Sequence, residues 1–161
     1  MSAPRGRPYV ALAGPSAPSA GELRAAEEVG RALARAGAVL LTGGLGGAME
    51  AACRGAAQAG GLTVGLLPGA DRAAANPHVA IAIATGLGEL RNGLLVRAAD
   101  VLIAVGGGYG TLSEIALALR VGVPAIGLHS WEISGLEQAS SPADAVARAL
   151  RRLGHRSAEH D

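Results

Sequence analysis

Short apolar runs alternate along the chain with longer segments of helical character. Six runs of four to six mainly apolar residues predict buried strands. These runs are Tyr9 to Ala13, Ala38 to Leu41, Thr63 to Leu67, Val79 to Ala84, Asp100 to Val105 and Pro124 to Leu128. Because their apolar residues are continuous rather than alternating, the strands should be covered on both faces, which is typical of a parallel sheet.

The remaining segments predict helices over residues 19–36, 48–59, 90–98, 111–121 and 141–153. Ser19 and Glu22 have the spacing of a capping box at the first helix, and Gly154 is expected to end the last one. This order predicts a single α/β domain over residues 1–161, with a Rossmann-like, doubly wound parallel sheet of about six strands and helices on both faces. Residues 1–8 and 155–161 are expected to be loose.

The composition limits the partners that this domain can have. Half of the residues are hydrophobic, Phe is absent and aromatic residues make up 2% of the chain, so the core must be packed from Ala, Val, Leu and Ile. So few aromatic rings argue against a platform for single-stranded nucleic acid. A net charge of +1 gives no electrostatic reason to expect binding to nucleic acid or to an anionic membrane.

Several enzyme classes are excluded by residues that the chain lacks. All 14 basic residues are Arg, so neither a Walker A loop nor a Schiff-base enzyme has the Lys that it requires. The single Cys53 excludes an intramolecular disulfide and a cysteine-based zinc site, and the four His show no metal-ligand spacing. No metal site is predicted. Since no basic leader precedes an apolar run and no apolar run reaches about eighteen residues, we expect a cytoplasmic protein.

Glycines concentrate where the predicted strands end. In open parallel sheets, ligands bind at the carboxyl ends of the strands, where the strand order reverses. The last of these loops contains Gly107, Gly108, Gly110 and Thr111, which lie between a strand and a helix. Glycines let the backbone amides approach an anion, and the helix N-terminus adds unpaired N–H groups and a positive dipole end. The loop therefore predicts phosphate binding, the alternative being a turn chosen for its geometry alone.

Two earlier loops also lie at the carboxyl ends of predicted strands. Each of them could bind phosphate, or could be a turn chosen for its geometry alone. Gly43, Gly44 and Gly47 follow the second strand, and Gly14 and Ser16 follow the first. We predict that these residues also contact a phosphorylated ligand. The hydroxyl of Ser19 could contact the ligand as well, or it could serve only as a helix cap.

Glu114 and Arg91 are the candidate catalytic residues, should the protein be an enzyme. Glu114 follows Thr111 at capping-box spacing, so its carboxylate could cap the helix, or it could act on a bound sugar by acid–base or oxocarbenium chemistry. Arg91 follows the fourth strand and could pair with phosphate, or it could be an unattached surface residue.

These segments resemble the SLOG superfamily, which includes the lonely-guy phosphoribohydrolases. In that family a Pro-Gly-Gly-x-Gly-Thr-x-x-Glu motif holds the nucleotide phosphate and supplies a catalytic Glu. Residues 106–114 match this motif except that Gly106 replaces the Pro, and the family's Arg-Lys pair falls on Arg91 and Asn92. The sequences of residues 91–97 and 106–115 resemble a bacterial subgroup of this superfamily more closely than they resemble the hydrolases. The proteins of that subgroup are similar to the molybdenum cofactor carrier protein.

The resemblance implies a small phosphorylated ligand, with a nucleoside monophosphate or a molybdopterin-type cofactor as candidates, and a homo-oligomer. The first hypothesis is a binding or carrier protein. The second is an enzyme that cleaves the N-glycosidic bond of a nucleoside 5′-monophosphate, in which Glu114 stabilises the ribosyl cation. A third is a sensor whose oligomeric state changes when the ligand binds. The first two hypotheses share the glycine loops and differ in whether Glu114 faces the ligand.

Overall fold

A parallel sheet of seven strands forms the centre of the protein, in the order β4-β3-β2-β1-β5-β6-β7. The computed structural model describes residues 6–158. The strands are β1 (Tyr9–Ala13), β2 (Val39–Thr42), β3 (Leu62–Leu67), β4 (Ile81–Ala84), β5 (Val101–Val105), β6 (Ala125–Leu128) and β7 (Glu137–Ala139). The helices are α1 (Ala20–Arg35), α2 (Ala48–Gln58), α3 (Arg91–Ala98), α4 (Tyr109–Val121) and α5 (Pro142–Ala158). Each neighbouring pair of strands is parallel.

Apolar residues lie on both faces of this sheet, as the continuous apolar runs predicted. On β1, Val10 and Leu12 pack against α1, α2 and α5, while Ala11 and Ala13 pack against α3 and α4. All four side chains are buried. The α/β class and the doubly wound parallel arrangement are therefore confirmed.

The prediction of six strands is wrong by one, because a seventh strand pairs with β6. Ile126 and Leu128 of β6 lie beside Glu137 and Ala139 of β7. This edge strand has three residues and the sequence Glu-Gln-Ala, so it lacks the apolar run that marked the other six. Backbone pairing, rather than burial of side chains, places it in the sheet.

The predicted end of the last helix is also wrong. Helix α5 continues through Gly154 to Ala158, so residues 155–158 of the segment expected to be loose are helical. Glycine ends a helix where the chain turns into the left-handed conformation, as Gly122 does after α4 with a φ of 76°. Gly154 instead remains helical. Residues 1–5 and 159–161, also expected to be loose, lie outside the described residues.

The strand order reverses at β1. From β1 the chain moves outward through β2 and β3 to β4, and it then returns to the other side of β1 with β5 and moves outward again to β7. The loops after β1 and β5 therefore leave the same edge of the sheet on either side of this reversal. Ligands bind at this position in doubly wound sheets.

Helices α1 and α2 pack closely through two glycines. A Cβ atom at Gly30 of α1 would collide with the backbone carbonyl of Ala52, and one at Gly55 of α2 would collide with the carbonyl of Glu27. Because backbone lies opposite each glycine, no side-chain rotation can relieve such a collision. The absence of side chains at these two positions therefore sets the distance between α2 and α1.

We predict that Gly30→Ala lowers the free energy of unfolding by about 1–3 kcal/mol, because the added methyl group overpacks the contact between α1 and α2. Gly21→Ala is the matched control in the same helix, since the nearest atom to a Cβ there is the Ser19 hydroxyl oxygen at 3.9 Å. The control should be neutral or more stable by up to about 1 kcal/mol, because Ala favours the helix. Urea denaturation measures both changes, and equal stability of the two variants would contradict the prediction.

Candidate functional site

The loops after β1, β2 and β5 meet at one edge of the sheet. Gly14 lies so close to its neighbours that a Cβ atom there would be 2.6 Å from the Cβ of Ala48 and 3.1 Å from the carbonyl oxygen of Val105. The amide of Ala48 donates a 3.1 Å hydrogen bond to the carbonyl of Pro15. Gly14 therefore brings the start of α2 and the end of β5 together. Ser16, in the same loop, is exposed.

The glycines after β2 shape their loop through close contacts. The amide of Gly44 donates a 3.0 Å hydrogen bond to the hydroxyl of Thr42, and the residue is buried with a φ of 77°. Gly47 is the N-cap of α2 with a φ of 71°, and a Cβ there would be 2.6 Å from the carbonyl oxygens of Pro15 and Ser16. These contacts give both glycines a role in packing. Direct contact with a ligand stays a prediction for them.

The loop after β5 leads directly into α4. Gly108 is the N-cap, and no side chain caps this helix. The amides of the first three helical residues, Tyr109, Gly110 and Thr111, have no acceptor within the helix, because the first intrahelical bond runs from the Leu112 amide to the Gly108 carbonyl, at 2.9 Å. Gly107 and Gly110 are exposed. An anion at this position can accept hydrogen bonds from free amides at the positive end of a helix.

The capping-box interpretation of Thr111 and Glu114 is wrong. Helix α4 begins at Tyr109, two residues before the predicted start, so both residues lie inside the helix. The glycines at 106, 107, 108 and 110 concealed this boundary from the sequence pattern. The Thr111 side chain is 2% exposed, and its hydroxyl is buried without a hydrogen-bond partner. A buried hydroxyl without a partner is costly, so it marks a position where a ligand could supply the missing bond.

Glu114 is a buried carboxyl group near a buried cation. Its residue is 9% exposed, and burial raises its pKa from 4.5 to about 7, while the positive charge of Arg91 opposes the rise. With a pKa of about 7, the group is present in both protonated and ionised forms near neutral pH. Such a carboxyl can donate or accept a proton under physiological conditions.

Arg91 is the first residue of α3, and it is buried rather than being an unattached surface residue. One of its terminal nitrogens, Nη1, donates hydrogen bonds of 2.6 Å to the carbonyl of Gly43 and 2.7 Å to that of Leu66. Its Nε is buried without a partner. Burial lowers the pKa of Arg91, and the carboxylate of Glu114 opposes that effect. The guanidinium thus joins Gly43 to α3 and leaves its buried Nε available to a ligand.

The hydroxyl of Ser19 caps helix α1, which is one of the two roles that the sequence allowed for it. It accepts a 3.1 Å hydrogen bond from the amide of Glu22, whose carboxylate accepts one of 2.8 Å from the amide of Ser19. Glu22 also lies beside the loop after β5, because a Cβ at Gly106 would be 2.5 Å from its carboxylate oxygen. The capping box at α1 thus fills the space behind this loop.

Sequence reasoning missed the segment after β6. The indole nitrogen of Trp131 donates a 3.3 Å hydrogen bond to the carbonyl of Gly108, and its ring lies 6.3 Å from that of Tyr109 with 28° between the ring planes. Ser130 has a buried hydroxyl without a partner. The signal was present in the sequence, because the only Trp of the chain follows the end of a predicted strand and must lie at the same edge of the sheet as the glycine loops.

A metal site requires a cluster of ligating side chains, and a membrane-spanning helix must be long and apolar. Within residues 6–158, no cluster of three or more His, Cys, Asp or Glu side chains could hold a metal ion. Among the described helices, none is both long and apolar enough to cross a membrane.

We predict that the stability of the protein falls as the pH rises through about 7. The pKa of Glu114 is higher in the folded protein than its ordinary value of 4.5, so between about pH 5 and 7 the folded state binds more protons than the unfolded state. The stabilisation is complete below the unfolded pKa and is lost above the folded one. At about 1.4 kcal/mol per pKa unit, the loss is on the order of 3 kcal/mol.

Glu114→Gln provides the matched control, because its amide has the size of the carboxylic acid and does not titrate. Urea denaturation from pH 5 to 8.5 should show wild type losing stability relative to this variant as the pH rises. If the two curves run parallel over this range, Glu114 does not have a raised pKa.

Two solved structures superpose on most of this chain. The molybdenum cofactor binding protein of the phototrophic bacterium Rippkaea orientalis is 38% identical with a TM-score of 0.87, over 91% of this chain and 98% of that one. The molybdenum cofactor carrier protein of Chlamydomonas reinhardtii is 34% identical with a TM-score of 0.86, over 92% of this chain and 99% of that one. This chain is similar to both along nearly their whole lengths.

Sequence comparison gives the family directly. An uncharacterized protein of Archaeoglobus fulgidus is 45% identical over 124 residues, which are 76% of this chain and 82% of that protein. The family model of SLOG cluster4 matches residues 7–152, and so includes every strand and all the glycine loops. The resemblance inferred from the glycine motifs is confirmed, and the chain belongs to the SLOG cluster4 family.

Proposed function

We propose that this protein binds a small phosphorylated cofactor at the N-terminus of α4 and acts as a binding or carrier protein of the molybdenum cofactor carrier type. The proposal depends on one observation. The hydroxyl of Thr111 and the Nε of Arg91 are both buried without partners, in the part of the fold where α4 begins without a side-chain cap. The two similar solved structures are proteins that bind or carry the molybdenum cofactor, which supports this class of ligand.

The phosphate group would lie against the start of α4. The free amides of Gly110 and Thr111 would donate to its oxygens, with the Thr111 hydroxyl as a further donor. A phosphate there would gain from the positive end of the helix dipole. The charge of Arg91 would favour the anion from the side of α3, with its Nε as a further donor. This set fits a phosphate monoester, the group shared by nucleoside monophosphates and a phosphorylated pterin.

We predict that Thr111→Val weakens binding of AMP and of neopterin monophosphate about tenfold or more, because a hydrogen bond to a charged group is lost. Calorimetry measures both affinities. Ser113→Ala is the matched control, since this exposed hydroxyl in the same turn donates to the carbonyl of Gly110. The control should bind like wild type. Equal affinity of Thr111→Val and wild type for both ligands would contradict the phosphate site.

A second function is favoured by Glu114. A buried carboxyl with a pKa of about 7 is suited to cleavage of the N-glycosidic bond of a nucleoside 5′-monophosphate. Incubation with AMP and modified adenosine monophosphates, followed by assay for free base, separates the two functions. A carrier should return the ligands intact. Release of base that stops in Glu114→Ala, while binding persists, would instead identify a phosphoribohydrolase.

We further propose that the protein is a homo-oligomer whose subunits meet at β4 and α3. Five large apolar side chains there are between 43% and 77% exposed, and they follow one another along the chain: Ile81, Ile83, Leu87, Leu90 and Leu94. Strand β4 is also an edge of the sheet, with a pairing partner on one side. An apolar group of this kind on a soluble fold favours contact with another protein surface, and a second copy provides an identical one.

We predict that Leu90→Glu reduces the assembly to the mass of one chain in light scattering, because a charge replaces the most exposed leucine of this surface. Ala57→Glu places the same charge on the exposed side of α2 and should leave the mass unchanged. A wild-type protein that is already monomeric at all concentrations would overturn this proposal.

A further inference from the structure

Two of the three aromatic residues in the chain lie side by side at the candidate site. The sequence contains one Trp and two Tyr, and the rings of Trp131 and Tyr109 are stacked with their centroids 6.3 Å apart. In a protein whose core contains almost no aromatic residues, this pairing is a local feature. We call these two rings the aromatic platform.

The two rings of the platform are held differently. Trp131 is partly buried and fixed, because its indole nitrogen donates to the Gly108 carbonyl and its own carbonyl accepts a 2.9 Å hydrogen bond from the Gln138 side chain. The absence of a side chain at Gly107 leaves room for the indole, since a Cβ there would be 3.1 Å from its nitrogen. The ring of Tyr109 lies beside this fixed ring but is 85% exposed. A ring so exposed adds little to folding, so its placement calls for another explanation.

Tyr109 is also the first residue of α4 and directly precedes Gly110, whose amide belongs to the proposed phosphate site. Consecutive Cα atoms are about 3.8 Å apart, so the aromatic platform begins within one residue of the anion. A ligand with a phosphate at the helix end therefore has the exposed ring of Tyr109 beside it, with Trp131 behind that ring. Planar heterocycles stack favourably on such rings.

We propose that the aromatic platform of Tyr109 and Trp131 binds the planar ring system of the ligand, and so selects phosphorylated heterocycles over simple sugar phosphates. This inference rests on the proposed phosphate site at α4 and adds the second part of the ligand to it. A purine and a pterin share the required chemistry, a flat ring joined to a phosphate by a short linker. The experiment below separates these two sources.

Three probes test the platform by calorimetry: AMP, neopterin monophosphate, and ribose 5-phosphate, which has no planar ring. Tyr109→Ala should weaken binding of at least one ring-bearing probe about fivefold or more, the effect of losing one stacked aromatic side chain. Binding of ribose 5-phosphate should be unchanged. Tyr109→Phe keeps the ring and should behave like wild type. Because Trp131 is the only Trp of the chain, each ring-bearing probe that depends on Tyr109 should also change the tryptophan fluorescence when it binds, whereas ribose 5-phosphate should not.

The outcomes distinguish this inference from the function on which it rests. If Tyr109→Ala binds all three probes like wild type, or loses affinity for all three equally, the platform does not recognise the ring, while the phosphate site stands. If none of the three probes binds to wild type, the proposed function fails and the platform fails with it. Weakening of AMP alone would indicate a purine, and weakening of neopterin monophosphate alone would indicate a pterin.

Discussion

The buried guanidinium of Arg91 holds together the parts of the protein on which the candidate site depends. Through a single nitrogen it bonds to the carbonyls of Gly43 and Leu66, and so it links the start of α3 to the loop after β2 and to strand β3. Two backbone carbonyls would lose their partner without it, at a cost of about 1–3 kcal/mol for each buried group. The same charge limits the rise in the pKa of Glu114. One cation thus supports the packing of α3 against β3 and the loop after β2, and it also sets the charge beside Glu114.

Much of the fold could be predicted from the sequence, because six of the seven strands are marked by apolar runs in the chain. Five of these six strands are largely buried, whereas β4 lies half-exposed at the edge of the sheet, and a reversal of strand order is typical of doubly wound sheets. Strand β7 could not be found this way, since pairing with β6 rather than its own composition makes it a strand. The start of α4 was placed two residues late because glycines carry no side-chain pattern.

The sequence identified most residues of the candidate site, but it did not show how deeply they are buried. The sequence identified Arg91, Thr111 and Glu114, yet it gave no sign that all three are buried. Burial depends on how α3 and α4 pack against the sheet, which no local pattern encodes. Trp131 was missed for a related reason, since it reaches the loop after β5 only through the neighbouring strand β6.

Binding and catalysis would make different demands on the same groups. A carrier gains from every interaction with the ligand as it arrives, whereas an enzyme gains only from interactions that strengthen in the transition state. The amides at α4 and the hydroxyl of Thr111 would serve a resting phosphate in the proposed carrier. Glu114 is the one group here whose benefit would depend on charge developing at a sugar. The two functions therefore differ in the use of a single carboxyl group, on a fold that serves either.

Gly106, which stands where the lonely-guy motif has proline, adopts a backbone conformation that proline cannot adopt. Its φ is 71°, whereas the ring of proline, the residue of the hydrolase motif at this position, fixes φ near −65°. A proline here would force the chain to leave β5 by another path and to meet the carboxylate of Glu22. Replacing glycine by proline at this position would therefore change the path of the backbone after β5. A side chain at this position would also displace the Glu22 carboxylate, which is part of the capping box of α1, so the route of the loop and the cap of the neighbouring helix are coupled.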